Sequence, residues 1–243
     1  MKIISYVFSS IFALVFLSLL VIFHPLQWIS FNLFGSKGHS KMVACLNFSL
    51  TKSLLLLGVP VRLINNQKLS ENTTIIFVSN HQSTFEVAPL GYFFRKYNAK
   101  FVSKIELGKG IPSVSYNLKK GGAALINRKD PKQAISELME FAKRINKNKW
   151  SAVIFPEGTR SRDGKPKSFA TNGLKILTKF NKEGYIVPVT INNSWKVFKH
   201  GKFPLGLGSP ITITTHHPIK IDSLPFDELI AQTEKVIKEH IKQ

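Results

Sequence analysis

The chain has 243 residues, enough for one sizeable domain with a real core and a small appendage. Its 34 Lys and Arg against 14 Asp and Glu give a formal net charge of +20, which attracts nucleic acid, an anionic membrane leaflet or a phosphorylated substrate. Ordinary apolar content excludes a disordered chain and a polytopic membrane protein, and the single cysteine, Cys45, excludes an intrachain disulfide and a cysteine-based metal cluster.

The first element is the uncharged run from Ile3 to Phe23. At 1.5 Å per residue a helix of that length crosses a bilayer core of roughly 30 Å. It is longer than a signal-peptide core and ends in His24-Pro25-Leu26-Gln27 rather than at a small-residue cleavage site, so an uncleaved anchor is expected. Lys2 precedes it and Lys37, Lys41 and Lys52 follow, an asymmetry that puts the body on the cytoplasmic side. Trp28 is expected at the membrane interface. Residues 39–58 form a second apolar stretch, interrupted by Lys41, Asn47 and Lys52, that suits a helix lying on the membrane; Gly58 and Pro60 end it. Within it, Cys45 reads as a small buried residue among Met42, Val43, Ala44 and Leu46.

Alternation then sets in. Strands are expected at VRLIN (61–65), TTIIFVSN (73–80), KFVSK (100–104), AALINR (123–128), SAVIFP (151–156) and YIVPVTI (185–191). Helices are expected over Ser83–Asn98, over 131–147 with Pro131 in the first turn, near 171–182, and in the tail from Phe226 to Lys242. The expected fold is α/β, a mixed sheet flanked by helices and preceded by an N-terminal membrane-associated helical segment. The expected division is a membrane segment over 1–58 and a catalytic domain over 59–243. The chain has no internal repeat, no Walker-type loop and no GxGxxG.

Two loops carry chemistry. NHQSTFE (80–86) follows a strand and opens a helix. Ser83-x-x-Glu86 fits a capping box, which needs no catalytic role for either residue. A general base, however, needs a carboxylate on one ring nitrogen and the other free. His81 and Glu86 meet that need only if His81 precedes the helix and folds back over its first turn, with Asn80 and Ser83 holding the bend. FPEGTRSRDG (155–164) delivers Glu157, Gly158, Thr159, Arg160 and Arg162 into one turn at a strand end, with guanidinium forks suited to phosphate. Arg162, Lys165 and Lys167 read as solvated surface charges. In KKGGAALINR, Arg128 ends another strand, where it is either a second phosphate contact or an ordinary strand-end charge.

NHQSTFE, GGAALINR, FPEGTRSRDG and YIVPVTI, in this order and at these separations, resemble the four motif blocks of the glycerolipid acyltransferase family, and most of all its bacterial 1-acyl-glycerol-3-phosphate acyltransferases. The family pattern has a His-x4-Asp dyad, and Glu86 departs from it by one methylene. The resemblance implies that His81 is the base and Glu86 its orienter, and that Arg128, Glu157, Gly158, Thr159 and Arg160 hold the acceptor's phosphate. It implies acyl transfer from an acyl-carrier protein or acyl-coenzyme A to lysophosphatidate, giving phosphatidate, with no cofactor, no metal and no nucleic-acid partner. It places the protein on an anionic membrane, the bacterial inner membrane, with the catalytic domain on the cytoplasmic side.

Three alternatives remain. A sister enzyme would take another lysolipid. A non-catalytic basic protein binding membrane or nucleic acid would explain charge and anchor but leave the four blocks as coincidence. A serine lipase lacks its GxSxG elbow. An acyl-enzyme at Ser79 or Ser83 is the rival mechanism to the dyad.

Overall fold

The computed structural model describes residues 2–65, 67 and 69–242. Among the described residues, eight strands form one mixed sheet in the order β1-β7-β6-β2-β5-β3-β4, with β8 (Ile219–Lys220) paired to β6. The expected strands appear: β1 (Val61–Asn65) and β3 (Lys100–Lys104) as expected, β2 (Ile75–Ser79), β4 (Ala124–Ile126) and β5 (Ala152–Ile154) trimmed, and β6 (Tyr185–Asn192) one residue longer. The strand β7 (Ile211–Thr215), antiparallel to β6 and parallel to β1, joins them. Strands β6, β2, β5, β3 and β4 run parallel, so their carboxyl ends share one rim.

Helices cover both faces. On one, Phe12, Leu54, Leu57, Leu90 and Phe94 pack on Ile75, Phe77, Val153, Val187 and Val189. On the other, α4 (Pro131–Asn148), α5 (Thr171–Lys179) and α6 (Phe226–Glu239) bring Phe141, Ile145, Leu174, Leu177, Leu229 and Ile237 onto Ile76, Val78, Ala152 and Ile186. Alternate residues of β2 thus serve opposite layers, which is why the whole strand is buried. The helix expected over Ser83–Asn98 is broken into short turns around α2 (Val87–Phe93), with Asn98 left-handed at φ 49°. A short α3 (Val114–Lys120) precedes β4.

The N-terminal segment differs from a free-standing anchor. Its helix α1 (Lys2–Ser53) runs through Pro25 and turns only at Gly35, whose φ of 62° and ψ of −155° suit glycine. One stripe of the first half is fastened to the sheet domain. Ser5 Oγ donates to Leu205 O at 2.6 Å, Ser9 Oγ accepts from Leu205 N at 2.8 Å, and Phe12 is only 2% exposed. The opposite stripe, Ile4, Val7, Ile11, Leu14, Leu17 and Val21, is exposed and apolar. The small polar residues Ser5 and Ser9 are therefore the docking side of the helix. Such a helix, apolar along its outer face, is suited to membrane association. Cys45 is exposed, not buried: it faces away from its neighbour Leu46, which is the residue that packs inward.

The C-terminal helix closes over β6 and β7 through a histidine pair. His216 Nε2 meets Thr190 Oγ1 at 2.8 Å, and its ring lies 4.4 Å from that of His240. Burial, and secondarily the His240 charge, lowers the His216 pKa from 6.5 to about 4. The folded state therefore prefers neutral His216, so this contribution to stability is complete above pH 6.5 and is lost as pH falls toward about 4. His216→Asn should flatten the decline of urea-unfolding stability across that window, and an unchanged slope would contradict it.

Candidate active site

The rim of the parallel strands gathers the chemical residues. Strand β2 ends at Ser79, and Asn80 then ties the loop to β6, donating through Nδ2 to Ile191 O at 2.8 Å and accepting from Ile191 N at 2.7 Å. That pairing replaces two ladder bonds and releases His81 above the sheet. His81 is held by its own backbone as well. Its N–H donates to Glu157 Oε1 at 3.0 Å and its carbonyl accepts from Ser161 N at 2.7 Å.

The bend of NHQSTFE completes a capping box and at the same time brings the His81 ring onto Glu86. Ser83 is an N-cap whose Oγ accepts from Phe85 N, and Glu86 reaches back to Ser83 N at 2.9 Å, completing the capping box. The same carboxylate accepts from Gln82 N at 3.0 Å and meets His81 Nδ1 at 2.6 Å. Glu86 is 0% exposed and His81 17% by side chain, so the pair is shielded on the carboxylate side and open on the imidazole side. A carboxylate can only accept here, so Nδ1 carries the proton and Nε2 keeps its lone pair. The ring stacks on Phe155, with centroids 4.2 Å apart at 20°, which fixes its plane. Nε2 makes no hydrogen bond among the described residues and is free to receive a proton from a substrate hydroxyl.

The two candidate serine nucleophiles are engaged and fully buried. Ser79 Oγ donates to Asn80 O, and Ser83 Oγ lies against Ser194 Oγ. Neither is within the described hydrogen bonds of His81.

The second loop is clamped beside the first. Gly158 takes φ 69°, a left-handed turn that suits glycine. Arg160 Nη1 donates to Thr84 Oγ1 at 3.2 Å, placing an exposed guanidinium beside the turn that carries Glu86. Arg128 donates to Gly158 O and so joins the same rim from β4. Thr159 Oγ1 accepts from Lys167 Nζ at 2.8 Å, while Lys167 stays exposed, as expected. Arg162 and Lys165 are exposed, as expected.

Glu157 needs a correction. A phosphate contact was expected of it, yet its carboxylate is turned inward and buried, with Oε1 accepting from His81 N and Oε2 from Lys167 N at 3.1 Å. Burial pushes its carboxyl pKa up, against the pull of those two N–H groups. A carboxylate repels phosphate, and this one braces the loop under His81 instead. Residues not singled out from the sequence complete the frame: Gln82 Oε1 accepts from Ser194 N at 3.0 Å, and exposed Lys104 ends β3 on the same rim. A lysine closing an expected strand was the available signal for the latter. Among the described residues, no group of three or more His, Cys, Asp or Glu is gathered for a metal.

Comparison with known proteins follows this geometry. The Acyltransferase family model matches residues 60–192, from β1 through β6 and across the whole rim. The chloroplastic 1-acyl-sn-glycerol-3-phosphate acyltransferase BAT2 of Brassica napus is 29% identical over 150 residues, 62% of this chain and 42% of that protein. The 1-acyl-sn-glycerol-3-phosphate acyltransferase of Borreliella burgdorferi is 30% identical over 190 residues, 77% of this chain and 70% of that protein. The match thus spans less than half of the plant relative's length. The crystal structure of the 1-acyl-sn-glycerophosphate (LPA) acyltransferase PlsC from Thermotoga maritima shares the fold with a TM-score of 0.74 at 23% identity, over 98% of this chain and 93% of that one.

Proposed function

The chain belongs to the acyltransferase family, and on that premise we propose that it moves an acyl chain from an acyl thioester to the free hydroxyl of 1-acyl-glycerol 3-phosphate, giving phosphatidate. The observation that carries the chemistry is the 2.6 Å contact of His81 Nδ1 with buried Glu86, which leaves Nε2 open on the rim. In this reading Nε2 takes the proton of the acceptor hydroxyl as its oxygen attacks the thioester carbonyl carbon. Glu86 stabilises the imidazolium so formed, and the thiol leaves with the proton that His81 returns. Arg160 and Arg128 hold the acceptor's phosphate, with Gly158 and Thr159 shaping the turn that presents them. The relatives are named for the same acceptor, and that agreement supports lysophosphatidate over other lysolipids. The donor is an acyl-carrier protein or acyl-coenzyme A.

The acceptor is tested by a panel at fixed thioester donor. Lysophosphatidate should give the highest kcat/KM, above lysophosphatidylcholine and lysophosphatidylethanolamine. Equal use of all three would remove the role of the arginines and favour the sister enzyme.

In the same reading, residues 1–58 form the membrane-docking segment and 59–243 the catalytic domain, which faces the cytoplasm from a bacterial inner membrane. The exposed stripe of α1 supports docking by a helix face. Leu14→Lys with Leu17→Lys, both on that stripe, should shift protein from the membrane to the soluble fraction while leaving its thermal unfolding nearly unchanged. Undiminished membrane recovery of this variant would contradict the docking face.

A further inference from the structure

A cleft of about 80 Å³, open to solvent, lies between the second half of α1 and the start of β3, away from the dyad. Its polar lining includes His39, Asn47, Arg95, Asn98, Lys100 and Asn117, beside Ser40, with no Asp or Glu. Lys100 opens β3 and Lys104 closes it at the rim, so the two lie about 13 Å apart at roughly 3.3 Å per residue.

The polar groups of the cleft are short of partners. His39 is 2% exposed, and its Nε2 has no hydrogen-bond partner among the described residues. Lys100 Nζ sits 4.7 Å over the Trp150 ring, and no carboxylate pairs with it among the described residues. Burial pushes the Lys100 ammonium pKa down, and the Trp150 face is its partner where an anion would be stronger. Arg95 stacks on Tyr92 at 4.2 Å and spends Nη1 on Tyr92 O, which leaves the rest of its donor fork available. A Cβ at position 91 would stand 2.5 Å from Asn47 Nδ2, so Gly91 is what gives that amide its place in the cleft.

Two cations, a buried imidazole and three amides converge with no anion among them. A tetrahedral oxyanion would restore what burial takes from Lys100 and would satisfy His39 Nε2–H. The α1 half that walls the cleft also exposes Phe48, an apolar residue that puts the site within reach of a lipid surface.

We propose that this cleft is a phosphate-binding site, separate from the dyad, that takes the phosphate of an anionic lipid headgroup or the free ion.

The test is calorimetric titration of the full chain in neutral detergent at constant ionic strength, with inorganic phosphate in one arm and short-chain phosphatidate in the other. All proteins carry Arg160→Ala and Arg128→Ala, so that the rim does not contribute its own phosphate contacts. Saturable binding should persist in that background, and Lys100→Gln should weaken it roughly tenfold or more. Arg95→Gln, at an exposed position that leaves the core intact, should also weaken it, whereas the equal charge change Lys182→Gln should not. Saturation by inorganic phosphate supports the site and assigns the free ion; saturation by phosphatidate only supports it and assigns the headgroup. Saturation by neither, or equal affinity in the Lys100 and Arg95 variants, overturns the proposal.

Discussion

His81→Ala should lower kcat by roughly 10²–10⁴-fold, the usual contribution of a positioned acid–base group. Glu86→Gln should lower it steeply as well, and the structure refines what accompanies the loss. Both carboxylate oxygens of Glu86 accept hydrogen bonds, from His81 Nδ1, Gln82 N and Ser83 N. Glutamine keeps one acceptor and turns an NH2 group toward a donor. The substitution should therefore also lower the melting temperature, because a lost hydrogen bond to a charged group costs about 1.5–3 kcal/mol. The two effects separate in a double-mutant cycle. His81→Ala with Glu86→Gln should be scarcely slower than His81→Ala alone, since residues that act as one unit are non-additive. Its stability loss should still include that of Glu86→Gln, because two of the three donors are backbone groups. Additive losses in kcat would reduce Glu86 to a capping residue.

Arg160→Ala should raise the KM for lysophosphatidate about tenfold or more, with the donor KM little changed. The magnitude is that of one charge-assisted hydrogen bond, about 1.5–3 kcal/mol. The location argues for it: the guanidinium is exposed, lies on Thr84 Oγ1 and has no carboxylate partner among the described residues. A group so placed loses only a weak hydroxyl contact when it turns to phosphate. Arg162→Ala, two residues on and solvated, should do much less. A rise in donor KM instead would assign this loop to the thioester's carrier.

Much of this was legible in the chain. Apolar, β-branched runs such as IIFVS and YIVPVTI declare buried strands, because each must fill a layer on both faces of the sheet. Pro131 and the spacing of Leu138, Ala142 and Ile145 declare α4. ITITT, a β-branched run beside a Gly- and Pro-rich stretch, carries the signal of β7, which the expected strands do not include. The seven residues at 80–86 pose an apparent choice between a helix cap and a His–carboxylate contact, and the structure contains both. One carboxylate serves both, because the bend that exposes His81 also aims the capping N–H groups at Glu86. Local sequence could not show this, since Asn80 makes the bend by pairing with Ile191, 111 residues away. Glu157 misled for the same reason: a charge in a polar loop looks solvent-facing until the backbone of His81 and Lys167 is seen beneath it. In the first helix, composition conceals the side that docks on the sheet domain. Hydropathy registers Ser5 and Ser9 as weakly polar interruptions, while their hydroxyls are hydrogen-bonded to Leu205 across almost the whole length of the chain.

The most direct measurement is product formation. Purified protein in mixed micelles is incubated with lysophosphatidate and a radiolabelled acyl thioester, beside His81→Ala prepared identically and shown to be folded. Labelled phosphatidate from the wild type, with the rate of the variant at least 10²-fold lower, is the predicted result. Absence of labelled phosphatidate with either carrier-protein or coenzyme A thioester, or an equal rate from His81→Ala, would contradict the account.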